Sequence, residues 1–332
     1  MTIVRVDPES PDPEPIERAA AVIRQGGLVA FPTETVYGLG ANAEDPDAVQ
    51  KIFAAKGRPA TNPLIIHVAD VEEARELADP WPETAERLAA AFWPGPLTLV
   101  VPRWHGVIDP VTAGLPSVAL RMPAHPVALA LVRAAGVPIA APSANRSSMV
   151  SPTTAMHVHK SLGDAVDLIL DGGPTRVGIE STVVDLTGDV PRLLRPGVIA
   201  RETLEGVVGP METGPAVVPA DTPRAAPGMM ARHYAPRAEL RLFGANQRAA
   251  ASELARSSAG AGGRVGALLL TPLDAPIHHP LHMPAEAAAY AQRLYAALHE
   301  LDDLGCDLIL VEEVPTGSPW AAVRDRLQRA AT

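Results

Sequence analysis

The chain has 332 residues, is 47% hydrophobic and 20% charged, and carries a net charge of −10. That is enough apolar material for one large or two ordinary domains, and it excludes global disorder. The charge is −7 over residues 1–200 and −3 over the remainder, so neither part has the basic footprint of a dedicated nucleic-acid binder. One cysteine, Cys306, excludes an internal disulfide and a cysteine-built zinc site. No apolar run approaches the roughly 20 residues of a membrane span, and the acidic start MTIVRVDPESPDPEP is no signal peptide. A soluble, cytoplasmic chain without a membrane role is expected.

In chain order, residues 14–27 form the first expected helix: Pro15 suits a first turn, Ile16, Ala19, Ala20 and Ile23 keep the 3.6 period, and Gly26-Gly27 stops it. A strand LVAF then runs into PTETVYGLGANA, a loop heavy with Thr33, Thr35 and Tyr37. Further apolar runs predict strands at PLIIHV, LTLVV, SVALRM, VPIAAP, DLILDG, STVVDL and PRLLRP, with helical patterns at 71–91 and 125–135 between them. This alternation predicts an α/β domain with a twisted sheet. From Gly209 to Pro236 the chain is punctuated by prolines and lacks periodicity, which predicts an extended linker. A second unit follows: RVGALLL and CDLILVEEV as strands, 285–303 and 319–331 as helices, a small β-α-β arrangement. It lacks a G-x-G-x-x-G loop after its first strand.

Two segments stand apart. KGRPATNPL (Lys56 to Leu64) sets Lys56 and Arg58 around Gly57, with Asn62 a few residues on. PSANRSSMVSPT (Pro142 to Thr153) places Ser143, Asn145 and Ser151 between prolines. Cations on one loop and compact donors on another suit a triphosphate, since Arg offers a planar fork and Lys a point charge. Each has a plainer alternative: KGRPATNPL as a solvated turn, and Ser151 as a helix N-cap with Pro152 at the first helical position, a role compatible with an anion at the same N-terminus. His67 in PLIIHV has the plain reading of a core histidine. Glu180, Ser181 and Thr182 in GIESTVVDL stand as either cap or site, and Arg195 in PRLLRPG as either surface ion pair or site. The His278, His279 and His282 cluster has the residue type to ligate a metal but is expected in a Pro-rich loop without acidic company, and MHVHK is expected to be exposed. No G-x-S-x-G elbow and no P-loop are present.

Taken in order, FPTETVYGLGANA, KGRPATNPLIIHV, FWPGPLTLVV, ALRMPAHP, PSAN…SPT, GIESTVVDL, LRPGVI, PGM…RHYAP and the terminal AVRDRLQRAA resemble the YrdC-type threonylcarbamoyl-AMP synthases, in the long form with an appended C-terminal domain. The resemblance implies a YrdC-like catalytic domain with a twisted, mostly mixed open sheet over 1–208, a Pro-rich linker or lid over 209–236, and a smaller Rossmann-like β-α-β domain over 237–332. It implies synthesis of L-threonylcarbamoyl-AMP from L-threonine, bicarbonate and ATP with release of pyrophosphate, for threonylcarbamoyladenosine modification of tRNA beside the anticodon. A separate threonylcarbamoyl transferase complex would accept the product; direct tRNA contact is left open.

Carried across by position, Thr35, His67, Arg121, Ala141 (through its backbone) and Ser181 would contact threonine. Arg58, Asn62, Ser117, Ser143, Asn145, Ser151, Arg195, His233 and Tyr234 would contact ATP. Lys56, Arg58 and Arg195 would stabilise charge, with Mg2+ arriving on ATP and no protein ligand expected for it. The chain departs from the family pattern at Ser148, where glycine is common, and at Ala226, Met230 and Ala231, which replace a hydroxyl, a cation and an aromatic. The competing readings are a non-catalytic RNA-binding module, disfavoured by net acidity, and a related carbamoyl-adenylate-forming enzyme, disfavoured by the lone cysteine.

Overall fold

A computed structural model describes residues 2–214 and 233–331. The positions of Ala226, Met230 and Ala231, and with them most of the expected lid, lie outside the described residues. Contacts divide the chain into residues 1–147 with 151–230, and 148–150 with 231–332.

The first unit is built on strands β1 (Thr2–Arg5), β2 (Val29–Phe31), β3 (Gly38–Asn42), β4 (Ile65–His67), β5 (Leu97–Pro102) and β6 (Ser117–Arg121). They are followed by β7 (Ile139–Ala140), β8 (Leu168–Asp171), β9 (Thr182–Asp185), β10 (Arg192–Arg195) and β11 (Glu212–Thr213). They form one mixed sheet in the order β1-β8-β2-β3-β7-β4-β6-β5-β9-β10-β11. Side chains alternate across a strand, and the core divides accordingly. Ala30, Leu39, Ile66, Leu99, Leu120 and Val184 join the large cluster on one face. Val29, Phe31, Ile139 and Leu170 join a second cluster on the other, under the helices Pro13–Arg24 and Pro126–Ala135. Farther along that second face, Ile65, Val100, Ala119, Val183 and Leu194 make a smaller apolar patch, because the pairing of His67 with Ile139 carries the face from β7 onto β4.

The eight strands expected from apolar runs are present; seven are shorter than expected by one to four residues, and β5 gains Pro102. Three features differ. The helix expected over 71–91 is two, Val71–Glu76 and Glu83–Phe92, since Pro80 and Pro82 interrupt the backbone donors between them. Gly38–Asn42, expected as loop, is a central strand whose glycines give way to Phe31 and Ile139: a Cβ on Gly40 would lie 2.8 Å from either. The expected linker begins later than Gly209, for Met211 is buried and Glu212–Thr213 pairs with β10.

The second unit holds four parallel strands, β12 (Glu239–Phe243), β13 (Val265–Leu269), β14 (His279–His282) and β15 (Leu308–Glu312), in the order β12-β15-β13-β14. Its helices are Arg248–Gly260, Ala287–Asp303 and Ala321–Ala330. The β-α-β arrangement is therefore larger than expected by two strands and a helix. ELRLF does carry a strand signal, the Glu-Leu-Arg-Leu alternation, which was not used, and HPLH carries a proline that only an edge strand tolerates. His279 and His282 thus sit on an edge strand rather than in a loop.

Ser148, the departure from the family's glycine, has φ +66°, in the left-handed region where an L side chain costs about 1–2 kcal/mol. Ser148→Gly relieves that strain and loses part of the gain to a freer unfolded chain. A net stabilisation of about 0.5–1 kcal/mol by urea unfolding is expected; a destabilised variant would contradict it.

Candidate active site

The cations owe their positions to a helix end. Pro46–Lys56 starts at Asp45, whose carboxylate accepts from the Asp47 and Ala48 N–H groups, and stops where Gly57 turns left-handed at φ +58°. Lys56 is consequently the last helical residue, with its ammonium where the helix dipole favours positive charge. It is not a solvated turn residue, for Lys56 is 3% and Arg58 8% exposed. The Lys56 Nζ donates to the carbonyls of both Ser143 and Asn145, and the Ser147 N–H donates back to the Lys56 carbonyl. The two irregular segments are thereby tied into one structure. Burial, and then the charge of Arg58, pull the Lys56 amine well below the ordinary lysine value, while the Glu180 carboxylate pulls the other way. Arg58 donates from Nε to the Asn62 carbonyl at 3.0 Å and from Nη2 to the Pro63 carbonyl at 2.7 Å.

Ser151 is not the helix N-cap. The helix begins at Ala155, and Thr154 caps it by accepting from the His157 N–H. Ser151 instead lies in an extended run, since the Pro152 carbonyl accepts the Tyr37 N–H. Its freed hydroxyl donates to Glu180 Oε1 at 2.5 Å. Ser143 bridges to Gly38, and Asn145 Nδ2 donates to the Arg146 carbonyl at 3.0 Å.

The sheet supplies the second group. On one face, His67 ends β4 directly opposite Arg121 at the end of β6. The register that pairs Leu99 with Leu120 sets Thr98 beside Arg121. The Thr98 and Ser181 hydroxyls lie 2.7 Å apart, and Arg195 donates to the Ser181 carbonyl at 3.0 Å and to its Oγ at 3.1 Å. Arg195 is buried, so the surface ion-pair reading fails. Ala141 closes this edge, its N–H donating to the Ile65 carbonyl at 2.8 Å. Ser117 starts β6, on the same face as Arg121 and about 13 Å from it, at the far end of the apolar patch of Ile65, Val100, Ala119, Val183 and Leu194. Thr35 approaches Thr33, with their hydroxyls 2.8 Å apart.

Two contributors were not singled out from sequence alone, and a third lacked a partner there. Glu34 pairs with Arg121, Oε1 to Nη2 at 2.6 Å, with both side chains buried. Thr98 is the polar residue in the otherwise apolar strand β5, an irregularity that was visible in LTLVV. Glu180 was flagged without a partner, and the structure gives it Ser151. His233 and Tyr234 belong to the second unit, where their rings meet at 4.0 Å. There the Arg326 guanidinium sits 5.2 Å from the Tyr234 ring centre, and Tyr295 stacks on Tyr234 at 5.7 Å. Among the described residues, no group of three or more His, Cys, Asp and Glu side chains is assembled that would hold a metal ion.

His67 lies edge-on to Phe31, with ring centres 6.0 Å apart, and its Nδ1 has no hydrogen-bond partner. Burial, then the Arg121 charge, depress its pKa from 6.5 to about 3. An unfolded chain therefore takes up a proton below pH 6.5 that the folded chain refuses until about pH 3. In that window this residue removes stability as pH falls, by about 1.4 kcal/mol per pH unit at most. Between pH 7 and pH 5 the wild type should lose about 2 kcal/mol more than His67→Gln in urea unfolding; equal losses would mean that His67 is already protonated in the fold.

The geometry can be set beside known proteins. The Sua5–YciO–YrdC family model, whose description is telomere recombination, matches residues 21–197. The model of the threonylcarbamoyl-AMP synthase C-terminal domain matches 199–332. A Bacillus subtilis threonylcarbamoyl-AMP synthase is 45% identical over 96% of this chain and 93% of its own length. One from Pyrococcus abyssi is 46% identical over 100% of this chain and 98% of its own. A crystal structure of Pyrococcus abyssi Sua5 complexed with L-threonine superposes with a TM-score of 0.93 at 46% identity, covering 100% of this chain and 98% of that one.

Proposed function

Since the chain belongs to the threonylcarbamoyl-AMP synthase family, we infer that it joins L-threonine, bicarbonate and ATP into L-threonylcarbamoyl-AMP with release of pyrophosphate, for the modification of tRNA beside the anticodon. The observation that carries this reading in the structure is four buried cations, Lys56, Arg58, Arg121 and Arg195, gathered with hydroxyls at the strand ends and loops of one unit. Buried arginines offer forked donors to anions, and a triphosphate together with an amino-acid carboxylate is an anionic ligand that suits them, beside the carboxylates of Glu34 and Glu180 already present.

The proposed division of labour follows the network. Arg121 takes the threonine carboxylate in a bidentate fork, with Thr35, His67, Ala141 and Ser181 around the rest of the amino acid. Arg58, Arg195, Asn62, Ser143, Asn145 and Ser151 face the phosphates, and Ser117 at the far end of the apolar patch is placed for the nucleoside. Lys56 acts chiefly by holding the Ser143–Asn145 backbone in place. Glu34 and Glu180 are each engaged by a site side chain, Arg121 and Ser151, and no metal-holding group is assembled among the described residues, which suits Mg2+ carried by the phosphates, where it would add to charge neutralisation.

Chemically, the threonine amine displaces water from bicarbonate, giving an N-carboxylate. One oxygen of that carboxylate attacks the α-phosphorus, and the bond to the β-phosphate oxygen breaks as pyrophosphate leaves. No protein nucleophile is needed. Catalysis rests on alignment of three reactants and on neutralising charge as it builds on phosphate oxygens. The test is pyrophosphate release by the purified protein with ATP and Mg2+. Release that requires both L-threonine and bicarbonate supports the reading, whereas ATP consumption indifferent to threonine overturns it.

A further inference from the structure

Glu34 has a feature the reaction as described does not use. Its Oε1 accepts from Arg121 Nη2 at 2.6 Å, but its Oε2 is buried without a hydrogen-bond partner. The residue is only 7% exposed. A carboxylate oxygen withdrawn from water and left without a donor carries a penalty that a bound donor would remove. Arg121 also pairs in register with His67, whose Nδ1 is another buried polar atom without a hydrogen-bond partner. Arg121 and Glu34 are thus a fixed plus and minus charge at the strand ends of this sheet face.

An α-amino acid is itself such a pair, with a carboxylate and an ammonium on one carbon. A lone arginine would bind any carboxylate. Arginine and glutamate side by side select a zwitterion, because the ligand's ammonium then meets an anion and not the cation that holds its carboxylate. We propose that Glu34 Oε2 is the seat of the α-ammonium of the amino-acid substrate, making Glu34 the residue that distinguishes an amino acid from the corresponding hydroxy acid. This rests on the assignment of the site to threonine made above. Glu34 takes no part there in phosphate binding.

The test is calorimetric binding of two ligands to the full chain: L-threonine and the 2,3-dihydroxybutanoate of matching configuration, in which a hydroxyl replaces the amine. The wild type should bind threonine at least tenfold more tightly than the hydroxy acid. E34Q, whose amide oxygen still accepts from Arg121, should lose at least tenfold in threonine affinity while its affinity for the hydroxy acid stays within about twofold. Equal losses for both ligands would mean that Glu34 only orients Arg121 and would overturn the proposal, as would equal wild-type affinities, a comparison that needs no variant. A wild type that binds neither ligand would instead refute the site assignment beneath it.

Discussion

Arg121→Ala is expected to abolish threonine-dependent pyrophosphate release and to lower the unfolding free energy by about 3–5 kcal/mol. The second effect is not the worth of an ion pair. It is the penalty of leaving the Glu34 carboxylate buried and charged after the guanidinium that neutralises it at 2.6 Å has gone. The double variant R121A/E34Q separates the two consequences. Replacing the stranded carboxylate by a neutral amide should recover most of the lost stability, since removal of both partners leaves no uncompensated charge. Activity should stay absent, because the fork for the substrate carboxylate is still missing. Urea unfolding and turnover of the two variants check this. A double variant as unstable as the single one would show that Arg121 supports the fold through contacts other than Glu34.

Arg58→Ala is expected to reduce turnover by about 10²–10³-fold, the scale on which one preorganised electrostatic donor acts. Its stability cost should be smaller, about 1–3 kcal/mol, for the two loop carbonyls of Asn62 and Pro63 that lose their donor. Arg58→Lys should restore little. A single ammonium cannot hold two carbonyls and also present a planar fork to phosphate. Near-normal turnover in Arg58→Ala would place phosphate neutralisation on other residues, whereas a collapse of stability beyond several kcal/mol would make the residue mainly architectural.

The sequence was most legible where one pattern had one meaning. Apolar runs of four to six residues located eight strands of the first sheet, paired end signals located the helix Pro13–Arg24, and helical periodicity located Pro126–Ala135. It was least legible where the same residues serve two purposes. Ser151 and Pro152 make a plausible helix start, but the hydrogen bond between Tyr37 and Pro152 holds them extended and moves the cap to Thr154. The GLGAN segment looked like a loop because its glycines lack side chains, yet they are what allows β3 to pack against Phe31 and Ile139.

At the site, the crowding of cations and small donors was visible, as was the polar break at Thr98. The partnership of Glu34 with Arg121 was not. The two residues are 87 positions apart, and only the sheet order brings β6 and the loop after β2 to the same place. Long-range pairing of this kind leaves no local periodicity to read.

The most direct test of the central claim is the fate of the bicarbonate carbon. With ¹³C-bicarbonate, L-threonine, ATP and Mg2+, the wild-type protein should yield a nucleotide whose labelled carbamate carbon is spin-coupled to the α-phosphorus in ¹³C and ³¹P NMR, the signature of a carbon–oxygen–phosphorus linkage. Consumption of ATP with all the label remaining in bicarbonate would contradict the account.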